Sequence, residues 1–295
     1  MPALAEHPTL DRLVARLLAC EPDLRPSSAA ELCAELARLE DALSDRGGAD
    51  TGESLVRALA AVPGERAWLA LLAHVSAGGE ARGDLVGTAS RALERWPDTF
   101  RPAPLATLRW LDGGPESLLW PLVRTLDLSG RELEDEDVAR LARSPALSTV
   151  AALDLSRNAI TSEGLAALAA SPHLGSLEVL RLSQNRITSR GVEDFAARAG
   201  CLRLRSLDLS ENRLDAAGAR AIATSRFRLR ALDLSRTDLG AEAALALSVG
   251  PALDGLESLR LEGNRVGPEG AHAIASGSFS RLGSLELGRN LIGAE

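Results

Sequence analysis

The chain has 295 residues, 45% of them hydrophobic, so it is long enough to bury a substantial core in one or two domains. Its net charge is −8, aromatic residues make up only 3% of it, and every basic residue is an arginine. An acidic chain with so few aromatic side chains lacks the basic, stacking surface on which nucleic acids bind, so no nucleic-acid partner is expected. No apolar run approaches the ~18 residues of a membrane-spanning helix, so no membrane contact is expected either.

The cysteines indicate a reducing compartment. Cys20, Cys33 and Cys201 are odd in number, lie far apart and lack the CxxC spacing of redox or zinc motifs. Disulfides persist mainly outside the reducing cytoplasm, so this usage predicts a cytoplasmic protein.

The first predicted elements are two helices within residues 8–43, joined by a turn at 21–26. Ser28 and Glu31 form a capping box for the second helix. The segment resembles the last two helices of the C-terminal lobe of bacterial serine/threonine protein kinases. The residues that carry this resemblance are Leu10, Leu13, Leu17, Leu18, Glu21, Pro22, Arg25, Pro26, Ser28, Ala29, Glu31 and Leu32.

The kinase resemblance covers only about 36 residues. The chain has no glycine-rich phosphate loop, no HRD or DFG motif, and no lysine to pair with nucleotide phosphates. The chain is therefore predicted not to be an enzyme by itself. Two explanations stay open: a kinase domain encoded upstream of Met1, or a decayed relic of one. The first would make this chain the C-terminal regulatory portion of a bacterial kinase.

A helical region is predicted to follow the kinase-like pair. Residues 1–44 contain that pair, residues 45–52 read as a glycine-rich linker, and residues 53–121 read as helical. The end of this region, with Leu105, Leu108, Trp110, Leu119 and Trp120, is predicted to cap the repeats that follow, because the first repeat would otherwise expose apolar surface.

Residues 122–295 consist of an internal repeat with the pattern LxxLxLxxNxL. Successive copies begin 27, 27, 27, 25, 27 and 26 residues apart, and the last is incomplete. Pattern and period together predict a leucine-rich repeat. The seven copies begin at Val123, Val150, Leu177, Leu204, Leu229, Leu256 and Leu282.

Each copy continues with apolar residues at three- and four-residue intervals, which predicts a helix after each strand. The fold class is therefore α/β: a leucine-rich-repeat solenoid preceded by an all-helical N-terminal region. Strand, turn and helix in this order resemble the ribonuclease-inhibitor type of repeat. That resemblance implies a parallel sheet on the concave side and helices on the convex side.

Two further columns of the repeat have structural explanations. An asparagine follows most strands, where a buried amide satisfies backbone groups of adjacent coils, but Arg131 and Thr237 replace it in copies one and five. A glycine follows four of these asparagines by six residues, which suits close approach at a helix start. The acidic residues 132–137 are interpreted as helix-dipole partners rather than as calcium ligands. The column residues are Asn158, Asn185, Asn212, Asn264 and Asn290, with Gly164, Gly191, Gly218 and Gly270.

The candidate binding surface is the outward face of the predicted sheet. One residue of each strand points outward between the two inward leucines, and with strands about 4.8 Å apart these residues form one charged stripe. A solvated sheet with mutually neutralising charges and a protein-binding surface remain alternatives. The stripe consists of Asp127, Asp154, Arg181, Asp208, Asp233, Arg260 and Glu286, flanked by Arg157, Gln184, Glu211 and Arg236.

No catalytic, cofactor-binding or metal-binding motif is recognisable. The four histidines have no ligand spacing, and GxSxG, HExxH and GxGxxG are absent. The favoured function is therefore a non-catalytic module that binds a polar protein on its concave face, without a cofactor. The incomplete last copy leaves a strand edge near residues 284–287, which indicates either a truncated chain or self-association through that edge.

Overall fold

The computed structural model describes residue 56 and residues 63–77, 82–103, 119–201 and 203–293. The chain divides into two compact units. Of the described residues, the helical unit contains those up to Arg124 and the repeat unit those from Thr125 onward. The kinase-like pair at 8–43, the linker at 45–52 and the proposed cap residues Leu105, Leu108 and Trp110 lie outside the described residues, so those predictions remain predictions.

In its described residues the helical unit has the α-helices α1 (Glu65–Ala77) and α2 (Arg82–Ala92). Trp68, Leu71, Leu72 and Val75 recur at helical spacing along α1 and are buried. The indole nitrogen of Trp68 donates a hydrogen bond to the carbonyl of Pro102 at 2.9 Å. The helices predicted for this region are therefore present where the structure describes it.

A buried arginine holds the C-terminal part of the helical unit together. The Nε of Arg101 donates to the carbonyl of Leu122 at 2.8 Å, and Nη1 lies 3.5 Å from the carbonyl of Leu93. Burial, and to a smaller extent the charge of Arg124, lowers the pKa of Arg101 to about 10. Arg101 thus joins the end of α2 to the short turn before the first repeat.

The repeat unit is built on one parallel sheet of seven strands in sequential order. Each strand spans three residues, and equivalent leucines pair directly from Leu126 of the first strand to Leu285 of the last. The strands are β1 (Thr125–Asp127), β2 (Ala152–Asp154), β3 (Val179–Arg181), β4 (Ser206–Asp208), β5 (Ala231–Asp233), β6 (Ser258–Arg260) and β7 (Ser284–Glu286).

One α-helix follows each of the first six strands. These helices are α3 (Asp135–Arg143), α4 (Ser162–Ala169), α5 (Ser189–Arg198), α6 (Ala216–Ala223), α7 (Ala241–Ser248) and α8 (Gly267–Ala275). Polar side chains begin several of them: Thr161 accepts from the N–H of Glu163, and Asp215 accepts from the N–H of Ala217. The strand, turn and helix order predicted from the sequence is confirmed.

The core of the repeat unit consists of two columns of leucines on the inward side of the sheet. In the first six strands the paired leucines from Leu126 to Leu259 are at most 1% exposed. The second leucine of each of the first six copies, such as Leu128 or Leu155, is equally buried. Because no single coil can cover these side chains alone, stacking of neighbouring coils supplies most of the stability.

The asparagine column forms a ladder of hydrogen bonds between coils. Asn212 is typical: its side-chain nitrogen donates to the carbonyls of Leu182 in the preceding coil at 2.9 Å and Leu209 in its own coil at 3.0 Å. Its oxygen accepts from the N–H of Ile187 at 3.0 Å. In the fifth copy the Thr237 hydroxyl instead donates to Leu234 of its own coil, and only the backbone carbonyl of Thr237 bridges to the fourth coil, accepting from the N–H of Leu214 at 3.3 Å. The side-chain ladder is therefore interrupted at the fifth copy, where the sequence has Thr237 in place of asparagine.

The glycine column marks points where one helix touches the preceding coil. A Cβ added to Gly191 would lie 2.6 Å from the Ser162 hydroxyl and 2.9 Å from the Ser162 Cα, and one added to Gly164 would lie 2.5 Å from an Asp135 oxygen. Real side chains do not approach backbone so closely, so the prediction of close approach is confirmed.

We therefore expect Gly191→Ala to destabilise the repeat unit by about 1–3 kcal/mol, because a methyl group would force α4 and α5 apart. In a helix without this contact the same substitution usually stabilises by about 0.5–1 kcal/mol. Gly175→Ala, in a turn of the same unit, is the control for steric contact, since a Cβ there meets nothing within 4 Å. Thermal unfolding of both variants checks the prediction, and a neutral or stabilising effect at Gly191 would contradict it.

The last strand differs from the others in its exposure. Leu285 is 40% exposed, whereas its six equivalents are at most 1% exposed. Within the described residues β7 pairs only with β6, so one of its edges has no neighbouring strand.

Candidate functional site

The structure brings all seven residues of the predicted stripe into one row on the outward face of the sheet. Direct pairing runs through Asp127, Asp154, Arg181, Asp208, Asp233, Arg260 and Glu286. We call this row the strand row. Its side chains are exposed or half-buried, while the leucine before each of the first six is buried. The geometric part of the prediction is thus correct.

Both arginines of the strand row pair with acids on neighbouring strands, Arg181 on one side and Arg260 on both. Arg181 lies 3.8 Å from Asp154, and Arg260 lies 3.8 Å from Asp233 and 3.1 Å from Glu286. Both arginines are about half exposed, so these pairs contribute at most about 1 kcal/mol each. For these residues the arrangement agrees with the alternative of a solvated sheet whose charges neutralise one another.

Four aspartates of the strand row also hold the turn that follows each strand. The N–H of Ser129, Ser156, Ser210 and Ser235 donates at 2.9 Å to the carboxylate two residues earlier, in Asp127, Asp154, Asp208 and Asp233 respectively. Such Asx turns fix the point where the chain leaves the sheet. These carboxylates are therefore structural acceptors as well as surface charges, which their outward position in the sequence pattern did not reveal.

Asp208 has a less favourable environment than the other aspartates of the row. It pairs in register with Asp233, and among the described residues it makes no ion pair. Burial, and to a smaller extent the charge of Asp233, raises the pKa of Asp208 despite hydrogen bonds from the Ser210 hydroxyl and N–H. Asp127 differs: burial raises its pKa, but hydrogen bonds from Ser129 and the charges of Arg131 and Arg181 outweigh this and lower it.

We expect Asp208→Asn to raise the melting temperature at neutral pH. The amide oxygen keeps the bond from Ser210, while the charge that burial and Asp233 disfavour is removed. A raised pKa means that the ionised carboxylate lowers stability above that pKa, and the loss disappears as the pH falls through it. The gain in melting temperature should accordingly shrink in acid. A variant less stable than the wild type at neutral pH would contradict this.

A second row of residues lies at the turn just after the strands. It comprises Gly130, Arg157, Gln184, Glu211, Arg236, Gly263 and Arg289, and we call it the turn row. All seven have φ between 54° and 69°. This left-handed region favours glycine and costs other residues about 1 kcal/mol or more. Five long polar side chains are nevertheless found there.

Part of the turn row is internally paired. Glu211 lies 3.3 Å from both Gln184 and Arg236, and Arg289 lies 3.7 Å from Glu262. Arg157 forms no such pair among the described residues. Of the four flanking residues predicted to contact a partner, three therefore interact with one another and the fourth faces solvent.

Sequence reasoning missed a third set of residues, at the position after the asparagine column. Arg186, Arg213 and Arg265 are exposed there, and Arg265 pairs with Asp238 at 3.1 Å. Their backbones are fixed by bonds to the preceding coil, as from the N–H of Arg186 to the carbonyl of Ile160 at 2.8 Å. Arginine recurs at this position in three copies of the sequence, and that recurrence could have identified the set.

Other polar clusters in the described part of the chain have structural roles. Asp135 accepts from the N–H and hydroxyl of Thr161, and Asp137 accepts from the N–H of Glu134 and the guanidinium of Arg140. Among the described residues no group of histidine, cysteine or acidic side chains is arranged to hold a metal ion. Burial raises the pKa of Cys201 to about 12, so this thiol stays protonated and unreactive.

Comparison with known proteins agrees with the repeat assignment. The family model described as leucine-rich repeat matches residues 146–169, 173–196, 201–223, 229–248 and 256–275. The chain therefore contains leucine-rich repeats, and its repeat unit has the corresponding solenoid fold. The resemblance to the ribonuclease-inhibitor type is not tested by this match.

A solved structure of an internalin from Listeria monocytogenes is similar over 59% of this chain, with 23% sequence identity and a TM-score of 0.35. The match spans about half, 52%, of that internalin chain. No curated protein sequence matches the chain. None of the helices in the described part has both the length and the apolar character required to cross a membrane.

Proposed function

We propose that the chain is a non-catalytic protein-binding module whose sheet face, the concave side in leucine-rich repeats, contacts a polar protein partner. A parallel sheet of stacked coils presents one continuous surface, and solenoid proteins generally use such surfaces for binding. The partner is expected to be protein rather than nucleic acid, because neither the strand row nor the turn row contains an aromatic residue.

The observation that carries the proposal is the unfavourable pair Asp208 and Asp233. Two carboxylates face each other on neighbouring strands. Asp233 pairs with Arg260 at 3.8 Å, whereas Asp208 makes no ion pair in the described part of the chain, and Arg181 on the adjacent strand offsets its charge only in part. An amide would serve the Asx turn equally well, so stability alone does not account for a carboxylate. Groups that reduce stability in this way are typical of functional surfaces. A basic side chain of the partner would compensate the charge of Asp208, beside the pair that Asp233 already forms with Arg260.

The test is capture of proteins from the native organism on the immobilised full chain and on the variant D208N/D233N. This variant keeps the turn acceptors and removes both charges. We expect a specific protein to bind the wild type and to be lost, or strongly reduced, on the variant. Equal capture of every bound protein by both chains would contradict binding through the sheet face.

Self-association near residues 284–287 stays a prediction. Sedimentation analysis of wild type and Leu285→Asp tests it, since a concentration-dependent dimer should be present only in the wild type. A wild type that stays monomeric would exclude it. The kinase-tail alternative depends on residues 8–43, outside the described residues, and no observation here favours it.

A further inference from the structure

We infer that Arg157, Arg186 and Arg213 form a binding surface for an acidic segment of a partner protein. We call this set the arginine edge. The inference deepens the proposed function: it rests on the chain binding a protein, and it specifies the chemistry of part of that protein.

The three arginines project from consecutive coils that hydrogen bonds hold in register. The N–H of Arg157 donates to the carbonyl of Ser183 at 2.8 Å, which joins the second coil to the third. The N–H of Arg186 donates to Ile160 at 2.8 Å, and that of Arg213 to Ile187 at 3.0 Å. Coils joined in this way are about 4.8 Å apart, so three of them span about 10 Å. The backbone that carries the arginines is thus rigid.

The arginine edge differs from the corresponding residues of the later coils. There Arg236 pairs with Glu211, Arg265 with Asp238 and Arg289 with Glu262, at 3.3, 3.1 and 3.7 Å. Within the part of the chain that the structure describes, none of the three arginines of the edge forms an ion pair or a side-chain hydrogen bond. All three are exposed. The arginines near these turns are therefore neutralised by acids in the fifth to seventh copies and left unpaired in the second to fourth copies.

The nearest acid of the turn row does not neutralise the arginine edge. Glu211 is in the same coil as Arg213, but its carboxylate is bound by Gln184 and Arg236. Arg157 also occupies a left-handed backbone position, φ 58°, where the equivalent residues of two other coils are glycine. A long cationic side chain is thus present where the backbone favours glycine, in a chain whose net charge is −8.

The chemistry of the edge fits carboxylates on a peptide. The planar guanidinium binds a carboxylate through two parallel hydrogen bonds, and three such groups along about 10 Å match about three residues of extended chain. Single-stranded nucleic acid also carries closely spaced anions, but proteins bind it through aromatic stacking as well. Neither the strand row nor the turn row contains an aromatic residue. We therefore assign an acidic protein segment as the occupant.

The test uses fluorescein-labelled hexaglutamate as the probe, with hexalysine as the opposite-charge control, in fluorescence anisotropy on the full chain at low ionic strength. R157Q/R186Q/R213Q removes the edge, and R236Q/R265Q/R289Q removes three paired arginines from equivalent positions. We expect hexaglutamate to bind the wild type and to bind the edge variant roughly tenfold more weakly, with less than about a twofold change in the paired-arginine variant.

Three results would overturn the inference: no hexaglutamate binding to the wild type, equal losses in the two arginine variants, or tighter binding of an oligouridylate of the same charge. D208N/D233N separates this inference from the sheet-face proposal, because it should lose the captured partner yet retain hexaglutamate binding. Loss of hexaglutamate binding in D208N/D233N would count against a separate edge site.

Discussion

Replacing Asn212 with alanine should lower the free energy of unfolding of the repeat unit by about 3 kcal/mol. The buried amide bridges two coils, and its removal leaves the N–H of Ile187 without its acceptor and the carbonyl of Leu182 without this donor. Water cannot readily replace the amide at a buried position. The free energy of unfolding is therefore lowered by most of the cost of burying these backbone groups without a hydrogen-bond partner.

Urea denaturation followed by circular dichroism measures this loss, and an unchanged m value would show that the folded state is otherwise intact. Asn158→Ala is the matched control. Asn158 donates in the same way to the carbonyls of Leu128 and Leu155 but is only half-buried. Water can therefore form hydrogen bonds with some of the backbone groups that lose the amide. Equal losses at the two positions would contradict the explanation from burial.

Reversing both charges of the acidic pair, in the variant D208R/D233R, should weaken partner binding by about a hundredfold or more. Placing arginines opposite the partner's basic side chain creates repulsion that costs several kcal/mol. The melting temperature should fall as well, because arginine cannot accept the hydrogen bonds that Ser210 and Ser235 donate. From the outward position of Asp208 and Asp233 in the sequence pattern alone, no change in the melting temperature would be expected. The Asx turns that both carboxylates form are the reason to expect a decrease.

Affinity for the captured partner and thermal unfolding are measured on the same preparation of this variant. The amide variant D208N/D233N is the control for turn geometry, since it keeps both acceptors. If the reversed variant binds as tightly as the wild type, the acidic pair lies outside the interface. If it melts like the wild type, the turns do not depend on these carboxylates.

The sequence alone predicted the repeat unit well because its determinants are local and recur in every copy. The spacing from Leu126 to Leu153 and onward placed each strand, and the pairing observed follows that spacing through Leu285. Asparagines and glycines at fixed positions likewise predicted the ladder and the helix contacts. A 25-residue step to the fifth copy coincides with Thr237, where the ladder is interrupted.

The candidate site was predictable only in part, because its properties depend on contacts between coils. The pattern placed Asp208 in the outward row, but whether an arginine pairs with it depends on side chains of neighbouring coils. Arg265 pairs with Asp238, which occupies the same position in the preceding copy, whereas Arg186 and Arg213 have no acidic partner among the described residues. The column after the asparagines carried that signal in the repeat alignment. The kinase resemblance of residues 8–43 lies outside the described residues and stays a prediction.

The most direct test of protein binding through the sheet face is the affinity of the purified partner for two charge-neutralised variants. D208N/D233N removes two acids from the strand row, and E163Q/E269Q removes two exposed acids from the first turns of α4 and α8. Both variants lower the negative charge by the same amount. We predict at least about tenfold weaker binding for D208N/D233N and wild-type affinity for E163Q/E269Q. Equal affinities of the two variants, or a greater loss in E163Q/E269Q, would contradict binding through the sheet face.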